Sequence, residues 1–564
     1  MNEPGGRGPT VTLPLRGEGA VLQAERQFAE MVAAVPRRFQ VCAGTGCVSN
    51  GSLQVAEALG KTTSSPVSIT GCHGFCARGP LVRVEPHGFL LTGVRPQGVS
   101  DLIQRLDTGG EPSEDLLYHD PLTGQSHLLE HQIPFYHHQQ RITLRNCGVV
   151  DPEDIRTYLA RGGYSALDRA LFEMSPEGVI GAVSESRLRG RGGAGFLTGR
   201  KWMLTRTQSG ARKFIICNGD EGDPGAFMDR SIMEGDPHAV IEGMLLAGYA
   251  VGASEGYIYV RHEYPLAVGR LKKAVEEATS WGLLGPSVLG TRFAYQIHVR
   301  EGAGAFVSGE ETALIRSIQG ERAVPYMRPP YPSERGLWGH PTCINNVETL
   351  ATVPLIVMRG PDWYAGLGTT RSGGTKVFAL TGAIQNTGLV EVPLGTSLRH
   401  VVENIGGGAR PGRRIKAVQI GGPSGGCLPA SLLDTPVDYE DLGATGAIMG
   451  SGGLVVADDT TCMVDLARYF LSFTQDESCG KCIPCRIGTR KMLGILTRIT
   501  MGEARSGDVD RLEQVATTVR TSSLCGLGLT APNPVMTTLR YFRDEYDAHV
   551  QDRHCPAGAC EALR

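Results

Sequence analysis

Apolar positions follow different rhythms in successive stretches of the chain. AVLQAERQFAEMVAA, from residue 20, places apolar side chains at helical spacing and predicts one helix after a polar start. From residue 38 to 110 short apolar runs alternate with helical ones. RRFQVCAG, PVSITGC, LVRVEP and FLLTGV predict strands, while SLQVAEALG and VSDLIQRLD predict helices. That alternation reads as a small α/β domain. TGGEPSEDLLYHDPLTGQS is polar and turn-rich, and reads as a connection. A long glycine-rich segment follows, then KVFALTG, GLVEVPLG and IKAVQIGG, three strands of a compact β-rich module. From Met463 the period returns to that of helices in MVDLARYFLSFTQDES, RIGTRKMLGILTRITMG, DVDRLEQVATTVR and NPVMTTLRYFRDEYDAHV. Four amphipathic segments in sequence predict a helical bundle.

Composition narrows the class. The chain has 564 residues, room for three or four domains, with 20% charged and 41% hydrophobic residues, a globular balance. Lys and Arg number 55 against 58 acids, a net charge of −3, which excludes nucleic-acid binding driven by bulk positive charge. No apolar run approaches the ~20 residues of a membrane helix. The opening MNEPGGRGPT has neither the apolar core nor the cleavage site of a signal peptide. A soluble, cytoplasmic protein is expected. Glycine, at 76 residues, is about twice its usual ~7%, which points to places where main chain approaches a ligand closely.

The 15 cysteines are clustered. Cys42 and Cys47 form C-x4-C, and Cys72 and Cys76 form C-x3-C one βα unit later. Cys479, Cys482 and Cys485 form C-x2-C-x2-C, with Cys525 about forty residues on. Cys555 and Cys560 form a final C-x4-C, with His549 and His554 ahead of them, and Cys462 stands alone. Cys147, Cys217, Cys343 and Cys427 read as ordinary buried residues. Four thiolates hold an iron–sulfur cluster or a tetrahedral zinc. The C-x2-C-x2-C run has the short spacing that wraps one face of a [4Fe–4S] cubane. The first quartet, on Gly-containing loops after short strands, reads as a [2Fe–2S] site, with zinc the alternative.

The sharpest motif is LRGRGGAGFLTGRKW, where Gly190, Gly192, Gly193 and Gly195 free main-chain N–H groups to cradle a phosphate or a flat ring. KFIICNGDEGDPG follows as a strand ending in Asn218, Asp220 and Glu221, groups able to bond a ribityl chain or ribose. With GRGGAGF, ICNGDEGDPG, SGEETAL, GLWGHPTCINNVETLA and ESCGKCIPCRIGT together, residues 137–550 resemble the NADH-oxidising flavoprotein subunit shared by respiratory complex I, NAD-linked hydrogenases and NAD-linked formate dehydrogenases.

The resemblance implies an α/β multidomain fold. It comprises a thioredoxin-like domain with its leading helix (1–120), a linker (121–136) and a Rossmann-like α/β FMN/NADH domain (137–370). A β-grasp module (371–458), a four-helix bundle (459–548) and a Cys/His tail (549–564) complete it. FMN would contact Gly190, Arg191, Gly192, Lys201, Asn218, Asp220, Glu221, Gly309, Glu310, Glu311, Asn345 and Asn346. NADH would pack on Phe196, with Tyr331 stacking on adenine and Arg328 and Glu311 near ribose or phosphate. Glu310 and Glu311 are the carboxylates expected to shape the nicotinamide site. Complex I members commonly have Glu at Asp223, Lys at Arg328 and Tyr at Phe306. Asp223 keeps a carboxylate one methylene shorter, and Arg328 keeps the charge with a different geometry. An acidic lining should repel a 2′-phosphate, so NAD(H) is expected.

In that family Cys479, Cys482, Cys485 and Cys525 hold the [4Fe–4S] cluster. The N-terminal domain resembles a [2Fe–2S] domain fused onto this subunit in multimeric hydrogenases and formate dehydrogenases. Cys462 with HVQDRHCPAGAC resembles the electron-bifurcating hydrogenase branch, where zinc is bound; Cys462, His549, Cys555 and Cys560 would supply it, with His554 competing. The implied function is NADH:acceptor (diaphorase) electron transfer within a soluble hydrogenase. A formate dehydrogenase or complex I-type enzyme is the alternative. Implied partners are an iron–sulfur catalytic subunit and a small thioredoxin-like [2Fe–2S] subunit, in a hetero-oligomer that is itself dimerised.

Overall fold

The computed structural model describes residues 11–564; the polar opening stretch, 1–10, lies outside the described residues. The chain forms a mixed α/β structure with several sheets, followed by helices.

The first sheet has the order β2-β1-β3-β4, from β1 (Arg38–Cys42), β2 (Val67–Thr70), β3 (Val82–Glu85) and β4 (Phe89–Leu91). β1 and β2 run parallel with Cys42 opposite Thr70, so both cysteine-bearing loops leave the same end. Val55 and Leu59 of the helix Ser52–Thr62 cover it, with Val99, Leu102 and Ile103 of the helix Val99–Asp107. The leading helix, Ala20–Ala33, does not join this domain. Val21, Ala24 and Phe28 line one face at helical spacing and enter the central core with Ile155, Tyr158 and Leu159. A short ribbon, β5 (Tyr118–His119) and β6 (Ser126–His127), lies within the connection.

The central sheet, β10-β7-β8-β9, is parallel throughout: β7 (Phe214–Gly219), β8 (Glu255–Arg261), β9 (Gln296–Gly302) and β10 (Thr342–Asn346). The apolar helix Pro237–Val251 is buried over almost its whole length and packs against the helix Val347–Arg359. Parallel strands buried on both faces read as continuous apolar runs, as FIIC and YIYV do.

The third sheet has the order β12-β11-β15-β13-β14, from β11 (Thr375–Gly382), β12 (Gly388–Pro393), β13 (Ile415–Ile420), β14 (Gly426–Pro429) and β15 (Gly453–Asp458). Its core continues into the first domain through Phe75, whose ring stacks on Phe135 at 4.2 Å.

Helices Met463–Asp476, Ile483–Thr500, Asp508–Ser522 and Asn533–Tyr541 share a core that includes Leu471, Met492, Leu496, Leu512, Val519 and Val535. The last predicted segment is not one helix. Phe542 leaves helical geometry (φ −134°, ψ 39°), and a short helix Arg543–Asp547 and a wide π-turn at Ala548–Asp552 follow. That break turns His549 inward.

Candidate functional site

Strands β7 and β10 are parallel neighbours with Asn346 opposite Asn218 and Asn345 opposite Cys217. Their C-terminal ends therefore deliver Asn218, Asp220, Glu221, Asn345 and Asn346 to one edge, the edge at which open parallel sheets receive ligands. The glycine-rich segment reaches this edge as a tight hairpin. Arg189 pairs with Leu197, and the Gly190 N–H donates to the Phe196 carbonyl at 2.8 Å. Gly193 (φ 115°) and Gly195 (φ 65°) occupy backbone conformations that side chains disfavour. A Cβ on Gly195 would stand 2.5 Å from the Tyr439 ring, and one on Gly192 would stand 3.1 Å from the Asn346 Cβ. The Tyr439 hydroxyl donates to the Gly190 carbonyl at 2.9 Å, and Arg189 pairs with Glu440 at 2.7 Å, so the β-rich module clamps the hairpin.

Charged side chains at the edge have hydrogen-bond partners within the protein, except at Asp220 and at one nitrogen of Arg261. The Lys201 ammonium donates to Glu311 at 2.5 Å and to the Ile344 carbonyl at 3.0 Å; Arg328 reaches the other Glu311 oxygen at 3.5 Å. Burial pulls the Lys201 ammonium toward neutrality, but Glu311 outweighs it and holds the pKa above its ordinary value. Asp223 accepts from Ser451 at 2.7 Å and is pushed up to about 6 by burial. At Asp220 both carboxylate oxygens are buried and neither has a hydrogen-bond partner, and burial pushes the group up to about 7. Beside it, Nη1 of Arg261 is likewise buried without a partner. Buried polar groups are ordinarily bonded, and orphans at a ligand-facing edge fit a polyhydroxyl ligand.

Several of the expected residues spend their side chains on the protein itself. Arg191 turns into the core, where its guanidinium donates to the carbonyls of Thr375 (2.9 Å), Arg189 (2.9 Å) and Gly373 (2.6 Å) and to the Tyr364 hydroxyl (3.1 Å). Its own N–H donates to the Thr349 hydroxyl at 2.8 Å, so the residue anchors the hairpin to the core. Glu221 accepts the N–H groups of Asp229 and Arg230, both at 3.0 Å, and so caps the helix Met228–Gly235; burial raises it to about 8. Glu310 caps the helix Glu311–Ile318 by accepting from Thr312 and Ala313 N–H, each at 3.0 Å. The amides are anchored: Asn345 accepts from Trp202 at 2.8 Å, Asn346 donates to Asp229 at 2.5 Å, and Asn218 donates to the Gly309 carbonyl at 2.8 Å.

Phe196 and Tyr331 are exposed at the rim, the latter with the Arg328 guanidinium 6.0 Å from its ring centroid. Phe306 lies where the sheet edge meets the cysteine loop: its N–H donates to Glu477 at 3.0 Å and its ring packs edge-on to Phe473 at 5.4 Å. Sequence reasoning missed Arg261, Tyr439, Ser451 and Glu477. A charged residue closing the buried run YIYV was a legible signal for Arg261. Glu477 opens the ESCGKCIPCRIGT motif, a signal of its own; Tyr439 and Ser451 come from distant segments and carried none.

The expected cysteine groups differ in how far they close: among the described residues only that of Cys462 brings all its ligand atoms within 4.8 Å of one another. Cys482 precedes and Cys485 lies within the first turn of the helix Ile483–Thr500, and Cys525 precedes the helix Gly526–Thr530, so these cysteines stand at helix N-termini, where the helix dipole favours a thiolate once a metal binds; burial by itself raises Cys485 and Cys525. A Cβ on Gly528 would stand 3.1 Å from the Cys485 Cβ, which brings the two segments together. Cys479 is tied back to the sheet edge by Arg322, which donates to its carbonyl at 3.3 Å.

In the first domain the Cys72 and Cys76 sulfurs are 3.9 Å apart, and the Gly74 N–H donates to Cys72 at 3.3 Å. A Cβ on Gly79 would stand 2.6 Å from the Cys47 Sγ, and one on Gly44 would stand 2.7 Å from the Cys72 Cβ. Glycine at both positions makes room for the thiols.

The third cluster is Cys462, His549, Cys555 and Cys560, whose ligand atoms all lie within 4.8 Å of one another, with all four residues buried. His549 donates from Nδ1 to the Glu545 carbonyl at 2.7 Å, which leaves Nε2 facing the sulfurs of Cys462 and Cys560, each at 3.4 Å. The hydrogen bond from Cys560 lowers the Cys462 thiol well below its ordinary value. His554 is exposed and takes no part in the cluster. The single cysteines Cys147, Cys217, Cys343 and Cys427 are all buried.

Comparison with known proteins places these features. Residues 183–355 match the Nuo51 FMN-binding domain, residues 465–549 the NADH-ubiquinone oxidoreductase-F iron-sulfur binding region, and residues 377–428 the SLBB domain. The chain is 53% identical over 425 residues to the NADP-reducing hydrogenase subunit HndC of Solidesulfovibrio fructosivorans, covering 75% of this chain and 86% of that protein. It is 46% identical over 415 residues to an NADH-quinone oxidoreductase subunit of Rhizobium meliloti, covering 74% and 99%. Among solved structures, an NAD+-reducing [NiFe]-hydrogenase in its H2-reduced state aligns with a TM-score of 0.65 at 29% identity, over 94% of this chain and 93% of that one.

Proposed function

Because this chain belongs to the family of NADH-oxidising FMN and iron–sulfur oxidoreductase subunits, we propose that it is the diaphorase subunit of a soluble, cytoplasmic, multi-subunit hydrogenase. In this reading it passes electrons between NAD(H), FMN and iron–sulfur clusters. The observation that carries the flavin assignment is Asp220, whose two buried, unpartnered oxygens lie at the strand edge that the glycine hairpin meets. Such a carboxylate fits ribityl hydroxyls, and the main-chain N–H groups of residues 192–195, outside the bonds that occupy Gly190 and Arg191, fit a phosphate or ring. FMN would be held by the hairpin Gly190–Gly195, Lys201, Asn218, Asp220, Gly309 and Asn346. Bound FMN supplies two-electron exchange with the nicotinamide and one-electron exchange with clusters.

The chain's own part is positioning. Glu311 holds Lys201 and Arg328 in one network, so the two cations are already positioned when an anionic ligand enters. Glu310 acts on the site as a helix cap that sets where Glu311 stands. Asp223, fixed by Ser451, and Phe306, fixed by Glu477, shape the nicotinamide side. Phe196 and Tyr331 offer the exposed aromatic faces on which a dinucleotide stacks.

The domain limits given by the sequence serve as the working division, with the leading helix reassigned to the central domain. The first domain is read as thioredoxin-like, the central one as Rossmann-like, the third as a β-grasp module, and the helices as a four-helix bundle. Cys479, Cys482, Cys485 and Cys525 fit a [4Fe–4S] cluster, and Cys42, Cys47, Cys72 and Cys76 a [2Fe–2S] cluster, in each case by an all-thiol donor set. Three thiols and one imidazole with an anchored Nδ1 fit tetrahedral zinc. Hydrogenase catalytic and small [2Fe–2S] subunits are the proposed partners, a formate dehydrogenase remaining the alternative complex; electron bifurcation would be a property of that assembly.

The name of the 53% identical relative favours a second reading for the nucleotide, NADP(H). The carboxylates Glu311 and Asp223 at the edge favour NAD(H). Steady-state dye reduction with each nucleotide decides: kcat/KM is expected to favour NADH at least tenfold, and a preference for NADPH would transfer the assignment.

A further inference from the structure

The helix Met228–Gly235 joins two sites that are remote in sequence. Its N-terminus is held at the flavin edge: Glu221 accepts from the Asp229 and Arg230 N–H groups, and Asp229 accepts from Asn346 at 2.5 Å. Its C-terminus lies on the first domain's cysteine loops. A Cβ on Gly71, beside Cys72, would stand 2.1 Å from the Gly235 Cα, so the two main chains are in direct contact. Eight residues at about 1.5 Å per residue make a strut of about 12 Å between these ends.

The side chains of this helix hold the other cysteine loop. Arg230 donates from Nε to Glu234 at 2.8 Å and from Nη2 to the hydroxyl of Thr45, which lies between Cys42 and Cys47. Thr45 in turn donates to the same Glu234 oxygen at 3.3 Å, closing a triangle. The triangle is rigid. Glu234 is 2% exposed, the Arg230 guanidinium lies 4.7 Å from the Tyr264 ring centroid, and the Tyr264 hydroxyl donates to the Glu221 carbonyl at 2.9 Å. Arg270 fastens the helix end by donating to the Glu234 carbonyl at 2.7 Å.

We propose that Arg230 and Glu234 are positioning residues for the N-terminal cluster: through Thr45 they fix the Cys42–Cys47 loop, and their opposed charges set the cluster's reduction potential. The inference rests on reading Cys42, Cys47, Cys72 and Cys76 as a [2Fe–2S] site. Cluster potentials respond to nearby charge, to hydrogen bonds and to exposure, and a part-buried ion pair, whose Glu234 carboxylate feels the charge of Cys72, supplies the first. The members of the pair act with opposite sign. A cation favours the reduced, more negative cluster, and an anion disfavours it.

The test is an electron-paramagnetic-resonance redox titration of the full, cluster-loaded chain. Arg230→Met is expected to lower the midpoint potential of the [2Fe–2S] signal and Glu234→Gln to raise it. Arg230→Lys should return the potential toward the parent value. Flavin content and the [4Fe–4S] signal should stay unchanged throughout. A structural role alone would not give shifts of opposite sign. Unchanged potentials, or shifts in the same direction, would overturn the proposal. Should Arg230→Met fail to fold, Glu234→Gln decides alone: a rise supports the proposal, and no rise overturns it. A parent protein without any [2Fe–2S] signal would overturn the cluster reading itself, a result distinct from a cluster that ignores the substitutions.

Discussion

At the scale of single residues the site is built from carboxylates and a lysine whose hydrogen bonds are already made within the protein, plus Asp220, whose oxygens have none. Lys201 is held between Glu311 and the Ile344 carbonyl, so it meets an anionic ligand without side-chain reorganisation. Lys201→Ala is expected to lower retained FMN at least tenfold, read as flavin absorbance per chain after gel filtration; stoichiometric flavin would contradict its role. Asp220 makes a prediction about pH. Its folded-state pKa of about 7 exceeds the unfolded value of about 3.9, so the folded chain binds the extra proton between them. Stability therefore falls as pH rises from about 4 to about 7 and loses nothing further from this group above that. In the flavin-free chain Asp220→Asn should raise the urea midpoint at pH 8 and leave it nearly unchanged at pH 4; equal effects at both would contradict the burial argument. Asp220 was legible in the sequence as part of GDEGDPG, but its lack of a partner was not. The inward turn of Arg191 was likewise illegible, because Thr375, Gly373 and Tyr364 converge on it only after the third sheet has docked.

At the scale of elements the glycine hairpin and the helix caps carry the geometry. Gly195→Ala would place a methyl 2.5 Å from the Tyr439 ring at a residue with φ 65°. It is expected to cost flavin retention and stability together, as read by flavin content and urea midpoint. Glu310→Ala removes a helix cap and is expected to cost about 1 kcal/mol, while dye reduction by NADH falls because Glu311 follows directly in the chain. Strands and helices with a strong period were readable: the parallel strands as apolar runs, the C-terminal helices as amphipathic repeats. Two elements were not. The Ala20–Ala33 helix has the right face but carries no local sign of which core receives it. The interruption at Phe542 has neither Gly nor Pro to mark it, and is fixed by where His549 must reach.

At the scale of the whole molecule, the central sheet, the third sheet's module and the helical region meet at one edge, and the first domain is held a helix length away; buried polar contacts fix the arrangement. Lys376 of β11 pairs with Glu348 of the helix Val347–Arg359, both all but inaccessible, which locks the third sheet to the central one. Removing one partner strands a buried charge, so Lys376→Met should cost about 3–5 kcal/mol in chemical denaturation, more than the double replacement Lys376→Met with Glu348→Gln. The Cys462 cluster ties the tail to the first of the C-terminal helices. Intact preparations should hold one zinc, lost in Cys560→Ser with the [4Fe–4S] signal retained. The most direct test of the central claim is the flavin itself, measured in the anaerobically purified chain together with the response to NADH. One FMN per chain, bleached by NADH and supporting reduction of a one-electron dye, is the predicted result. A well-folded chain that neither contains nor takes up FMN would contradict the account.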